Sequence, residues 1–204
     1  MIFGYEFNIF FAACCIICGY LIGNIQTAII ISKRFFHDDI REHGSGNAGS
    51  TNMLRVYGLK PGALTFLGDC AKGILGILIG RMFMGTLGGY IAALSVVIGH
   101  CYPAFAGFRG GKGVASTFGI IWMSFPLGAA IATAVVVVVF LIKKRISLCS
   151  LIGIAVFLAA TLVFEFYNTP LCLLAAALLA IIYLRHWDNI QRLLHGEEKP
   201  IINS

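Results

Sequence analysis

Apolar residues come in long blocks, near residues 7–32, 61–81, 86–105, 114–142, 147–166 and 170–184. Charged and amide residues are largely confined to the stretches between. Blocks of this length match the roughly 20 residues that a helix needs to cross the hydrocarbon core of a bilayer. A transmembrane barrel would alternate apolar and polar positions over strands of about ten residues, and these runs do not alternate. The first block has no small-residue cleavage site after a short apolar core, so it is expected to be a retained span. The block 114–142 allows one long tilted helix, or two short ones broken at Ser124-Phe125-Pro126. Proline there removes a backbone donor and clashes with the preceding turn.

Composition agrees with the pattern. Of 204 residues, 59% are hydrophobic and 12% charged, and a soluble domain carries about 25% charged residues. The seven cysteines, Cys14, Cys15, Cys18, Cys70, Cys101, Cys149 and Cys172, lie in or beside the apolar blocks. No paired Cys-x-x-Cys groups or His partners suggest zinc, so they read as small apolar side chains, with no metal site expected. The net charge of +6 is better explained by topology than by nucleic acid. With seven spans and the N-terminus outside, every Lys and Arg except Lys72 and Arg81 falls on the cytoplasmic side. With six spans, Lys143-Lys144-Arg145 and the C-terminal tail, Lys199 included, would lie opposite the first loop. The positive-inside rule prefers seven. The expected fold is therefore an all-α integral membrane protein of seven transmembrane helices, N-terminus outside and C-terminus cytoplasmic. No repeat or linker divides it, so residues 1–204 are expected to form a single domain. This topology gathers three polar stretches at one face.

The first runs over residues 44–55. Gly44, Gly46 and Gly49 let the backbone turn and bring its N–H groups near a ligand. Ser45, Asn47, Ser50, Thr51 and Asn52 supply hydroxyls and amides, and Arg55 adds a donor fork suited to phosphate. No acid interrupts it, which is the chemistry of an anion cradle. The second holds Gly99-His100 and Pro103, then residues 107–114, where Gly110, Gly111 and Gly113 surround Lys112. A glycine turn feeding a helix start presents free N–H groups and a partial positive charge. It is not a P-loop: Ala106 stands where the first glycine belongs, and Gly113 where a metal-binding hydroxyl belongs. The third follows the last span, with His186, Asn189 and Arg192 at a spacing that shares one helix face. His186 is the titratable group best suited to proton traffic near neutral pH. Asp69 and Lys72, three apart inside the second span, are expected to pair in the bundle interior. Lys72 contact with substrate is the alternative there.

Together these stretches resemble the acyl-phosphate:glycerol-3-phosphate acyltransferases, the PlsY family of bacterial membrane enzymes. Residues 45–52 through Arg55 resemble its first signature. Gly99-His100, Pro103, Phe108 and residues 110–115 resemble the second. His186, Asn189-Ile190, residues 192–194, Gly196 and Glu198 resemble the third. Where many members have Pro-Gly-Ala, this chain has Ala48-Gly49-Ser50, which removes no donor. The resemblance implies a bacterial inner-membrane enzyme whose site faces the cytoplasm. It implies acyl transfer from acyl phosphate to glycerol 3-phosphate, with neither cofactor nor covalent acyl-enzyme. It implies Ser45, Arg55, Lys112, His186 and Asn189 as contacts to glycerol 3-phosphate, and the glycine backbones as the hole for the acyl phosphate. The candidate catalytic residues are thus Ser45, Thr51, Asn52, Arg55, Lys112, His186 and Asn189. The candidate substrate-binding residues are Gly46, Asn47, Gly49, His100, Gly110, Gly111, Gly113 and Arg192. A soluble enzyme that makes the acyl phosphate is a further candidate partner, besides the lipid bilayer.

Three other classes compete. A transporter of a phosphate-bearing solute usually carries internal repeats and helices broken at the midplane; here Pro126 marks one break and no repeat is seen. A metal-dependent lipid phosphotransferase needs clustered carboxylates, and Asp69 stands alone while Asp38, Asp39 and Glu42 sit in a charged segment. The glycerol-phosphate acyltransferases that use a His and an Asp with four residues between find no such pair in this sequence.

Overall fold

The computed structural model describes residues 7–198 together with 200 and 201; Lys199, counted above with the basic tail, lies outside them. The chain divides into two compact units, Met1–Ile120 and Ile121–Ser204. Four helical stretches are long and apolar enough to cross a membrane: Ile9–Phe35, Leu59–Ala106, Pro126–Lys143 and Ile146–Phe164. A bent pair, Thr169–Arg185 with Trp187–Leu194, makes five if taken as one span.

In the first unit, α1 (Ile9–Asn24) starts where the Asn8 side chain accepts from the N–H groups of Phe10 and Phe11. The single unbroken first span expected from sequence is interrupted. Ile25 and Gln26 are extended, and α2 (Thr27–Phe35) resumes beyond them. The break strips helical partners from nearby carbonyls, which buried side chains then capture. Gln26 Nε2 donates to Gly23 O at 3.0 Å, and Lys72 Nζ donates to Ile25 O at 2.8 Å. Such recapture is what permits a broken helix inside hydrocarbon.

After α3 (Ser50–Tyr57), α4 (Leu59–Cys101) runs 43 residues but is not straight. Met84 and Gly85 leave helical geometry, Gly85 with φ +58°. Lys72 Nζ lies 2.6 Å from His100 Nδ1 across 28 residues, which a straight helix would hold about 42 Å apart. The chain therefore doubles back at Met84-Gly85, between the two apolar blocks seen in the sequence. A Cβ on Gly80 would strike the Gly88 carbonyl, so the arms touch backbone to backbone. The same close approach brings α1 onto the second arm, where Gly23 has Val96 O and Gly99 Cα against it. Small residues give membrane helices such contacts in place of a hydrophobic driving force. Below the first polar loop, Ala28, Ile29, Ile31, Ile40, Ala48 and Met53 form a buried apolar cluster.

The block 114–142 is two helices, α5 (Val114–Ser124) and α6 (Pro126–Lys143), separated at Phe125. In the second unit α7 (Ile146–Phe164) packs against α6 and also against α8 (Thr169–Arg185). Phe157, Leu171, Leu178 and Ile182 are fully buried there. The chain then bends by 66° into α9 (Trp187–Leu194). The helix is strongly two-faced, with Asn189 buried and Trp187 and Leu194 exposed.

Candidate active site

The loop before α3 is built around Asn52, which is 1% exposed. Its Oδ1 accepts the Ser45 N–H at 2.9 Å. Its Nδ2 lies 3.2, 2.9 and 3.1 Å from the carbonyls of Ile40, His43 and Asn47, so two protons serve three acceptors. Gly44 and Gly46 have φ of +59° and +70°, and a Cβ on Gly44 would run into Asn52 Oδ1. The side chain of Asn52 is thus committed to the loop backbone and holds it in shape. Ser45 remains exposed, as does Arg55 on α3.

Two acids of the charged segment before the glycines, Asp38 and Asp39, are structural. Asp39 grips Arg41 through two hydrogen bonds, of 2.9 and 2.7 Å, and Arg41 Nη1 donates to Ala106 O at 2.7 Å. That contact ties the first polar loop to the second. The Arg41 guanidinium holds the Asp39 carboxyl well below the usual carboxylate range. Beside it, Asp38 accepts from Tyr57 Oη at 2.7 Å and from His43 Nε2 at 2.8 Å. Burial and the Asp38 charge push the Tyr57 hydroxyl up to about 12.

The second loop is seated on His100. Gly111 N–H donates to His100 O at 3.2 Å. Gly110 and Gly111 are buried, and a Cβ on Gly111 would meet the His100 ring at Nε2 and Ala48 O at 2.8 Å. Only glycine fits there. Gly113 has φ +82° and leads directly into α5, so Lys112, half-buried, stands at a helix N-terminus. Backbone dipoles and a fixed cation there favour an anion. His100 itself is 3% exposed and lies beside the buried pair of Lys72 and Asp69, whose charged atoms are 2.9 Å apart.

In the second unit, His186 is not inside the helix that carries Asn189. It caps that helix at the bend between α8 and α9. The polypeptide turns there, so helical spacing alone misplaced it. Its Nδ1 lies 2.8 Å from Ile182 O. A carbonyl only accepts, so Nδ1 carries the proton and Nε2 is the basic nitrogen of the neutral ring. Asn189 Nδ2 and Ser147 Oγ each donate to Glu198 Oε1 at 2.6 Å, and Arg192 Nε donates to Glu198 Oε2 at 2.7 Å. Burial works to raise the Glu198 carboxyl, but these three donors outweigh it and hold it below the usual range. Neither Glu198 nor Ser147 was among the candidate site residues. Glu198 stood in the third signature, but its partner Ser147 lies 51 residues away, and no local spacing shows that contact.

The candidates of the first two signatures, from Ser45 to Gly113, therefore lie in one unit, on two loops and the adjoining helices α3 and α4, with the loops joined through Arg41 and the contact of Gly111 with Ala48. His186, Asn189 and Arg192 lie together in the other.

The family model described as "Glycerol-3-phosphate acyltransferase" matches residues 13–196. A glycerol-3-phosphate acyltransferase of Alkaliphilus metalliredigens is 42% identical over 188 residues, covering 91% of this chain and 94% of that protein. One from Clostridioides difficile is 41% identical over 191 residues, covering 91% and 93%. The fold is similar to the crystal structure of PlsY (YgiH), an integral membrane glycerol 3-phosphate acyltransferase, in its glycerol 3-phosphate form. The TM-score is 0.87 at 36% identity, covering 93% of this chain and 94% of that one. The lysophosphatidic acid form of the same protein matches with a TM-score of 0.84. The architecture is thus an all-α, multi-span integral membrane fold, and the chain belongs to the glycerol-3-phosphate acyltransferase family.

Proposed function

We infer that this protein transfers a fatty acyl group from acyl phosphate to the 1-hydroxyl of glycerol 3-phosphate, at the cytoplasmic face of a bacterial inner membrane. The products are 1-acyl-glycerol 3-phosphate (lysophosphatidic acid) and phosphate. Family membership carries this conclusion: the similar crystal structures are described as forms with the phosphorylated acceptor and with the acylated product.

The chemistry suits the residues. An acyl phosphate is already activated, so no protein ester is required. The hydroxyl oxygen bonds to the carbonyl carbon, the bond from that carbon to the phosphate oxygen breaks, and the hydroxyl proton leaves on a phosphate oxygen. Lys112 and the glycine N–H groups stabilise the oxyanion that forms on the way. Ser45, Arg55, His186 and Asn189 hold glycerol 3-phosphate, and fixing both reactants in register supplies several kcal/mol, on the order of 7–11 at best. Thr51, Asn47, Gly46 and Gly49 complete the polar surround in the first unit, and Arg192 is a further proposed contact from the second.

Seven spans are our preferred topology. The fold-back at Met84-Gly85 and the break at Phe125 support it by separating α4 into two arms and α5 from α6. α5, 11 residues or about 16 Å, is shorter than a bilayer core of about 30 Å, so as a span it requires shielding of its ends by neighbouring helices. The odd count leaves the basic loops and tail on one side.

Purified protein given acyl phosphate and glycerol 3-phosphate should release phosphate only when both are present, and should do so in a strong chelator. Uptake of a phosphorylated solute into vesicles without such release would favour a transporter. In the same assay His186→Gln identifies the proton acceptor. Near-normal turnover with an unshifted pH profile assigns the proton to substrate phosphate, and a loss of the acidic limb, where rate falls as a base is protonated, assigns it to His186 Nε2.

A further inference from the structure

Lys72 is 5% exposed and deep in the first unit. An ammonium has three protons, and three short partners surround this one. They are Asp69 Oδ1 at 2.9 Å, Ile25 O at 2.8 Å and His100 Nδ1 at 2.6 Å. Asp69 Oδ1 also accepts from Thr27 Oγ1 at 2.9 Å. All three protons are therefore directed at protein atoms, and Lys72 does not touch substrate. The ammonium can only donate, so Nδ1 of His100 accepts, and the neutral ring carries its proton on Nε2. That nitrogen lies against Gly111, while the His100 carbonyl takes the Gly111 N–H. Gly111 is thus held on both sides by one residue, and the next residue is Lys112.

We propose that Lys72 is a positioning residue for acyl transfer. Its ammonium selects the Nε2–H form of the His100 ring, and that ring sets the glycine turn that presents Lys112 and its neighbouring N–H groups. The role rests on the transferase function inferred above. It differs from a plain ion pair, which would only bind the helices together. Asp69 aims the ammonium, and the extended residues Ile25 and Gln26 open the carbonyl that completes its shell. Gln26 adds a second tie, donating to His100 O at 3.3 Å.

The test uses the full-length protein in detergent or nanodiscs. Lys72→Met alone strands the Asp69 charge, which by itself destabilises a buried pair, so the informative variant is Asp69→Asn/Lys72→Met. Hydrogen exchange read by mass spectrometry should rise in the peptide covering residues 104–113 and stay near wild type in the spans. The catalytic efficiency kcat/KM should fall about tenfold to a hundredfold, as a small misplacement of catalytic groups does. Wild-type exchange in that peptide, or a rise spread evenly over all spans, overturns the proposal in favour of an architectural pair. If the double variant does not fold, the His100 variants decide. The amide of His100→Gln reaches the position of Nε2 beside Gly111, whereas the amide of His100→Asn occupies only the Nδ1 end that faces Lys72. Glutamine should retain more activity than asparagine and the quieter loop; equal behaviour of the two overturns the proposal. A wild-type protein without two-substrate phosphate release would refute the inferred function, and the exchange measurement would still judge the contact chain on its own.

Discussion

Replacing Lys112 by methionine should lower kcat by about a hundredfold to a thousandfold, the usual cost of losing one oxyanion donor, without unfolding the protein. Lys112 stands half-buried at the start of α5, between buried Gly111 and Gly113. Its charge adds to that of the helix N-terminus. Both act on an oxygen whose charge grows as the acceptor hydroxyl attacks, so the loss falls on the transition state more than on substrate affinity. Methionine preserves length and apolar volume, and the glycine turn needs no side chain from position 112. Arginine should restore little, because its planar fork does not match a point-charge position. Steady-state kinetics with both substrates varied, alongside thermal unfolding, checks this. Transfer within a few-fold of wild type would remove Lys112 from the chemistry.

Glu198→Ala should be the most damaging change in the tail. Asn189 and Ser147, both buried, would lose the acceptor that they share, and each stranded donor costs about 1–3 kcal/mol. The Arg192 pairing contributes less, since that side chain is 44% exposed and exposed pairs are worth about 0–1 kcal/mol. Both the unfolding temperature and activity should drop, since Asn189 is a proposed contact to glycerol 3-phosphate. Glu198→Gln should be milder, because its amide oxygen can still accept from Ser147 and Asn189. The pH dependence carries a sign. The folded carboxyl titrates below its ordinary value of 4.5, so the unfolded chain binds the proton more readily. The stabilisation from Glu198 is therefore complete above that ordinary range, and it is lost as pH falls through the lower folded value. Unfolding temperature measured against pH should show this acid loss in wild type and lack it in Glu198→Gln. An identical acid profile in the two would show that the carboxylate does not anchor the tail.

Membership of the family, the helical class and most of the polar candidates were legible in the chain itself. Long apolar blocks have only helices to form in hydrocarbon, because every backbone donor must be satisfied within its own segment. Glycines around Lys112 and the break at Phe125-Pro126 follow from local backbone chemistry, which operates within a few residues. What local chemistry could not show was the interruption at Ile25-Gln26. No proline or glycine stands at either position, and the break persists because Lys72, 47 residues away, captures the freed carbonyl. The same limit hid the roles of Asn52, Arg41 and Glu198. Each is a polar residue whose meaning lies in partners brought close only by folding: loop carbonyls for Asn52, Ala106 for Arg41, and Ser147 for Glu198. The linear sequence determined which segments are apolar and which groups can bind anions. Tertiary structure alone decided which of those groups face outward and which are committed to the backbone, since hydrogen-bond partners are chosen by distance in space and not along the chain.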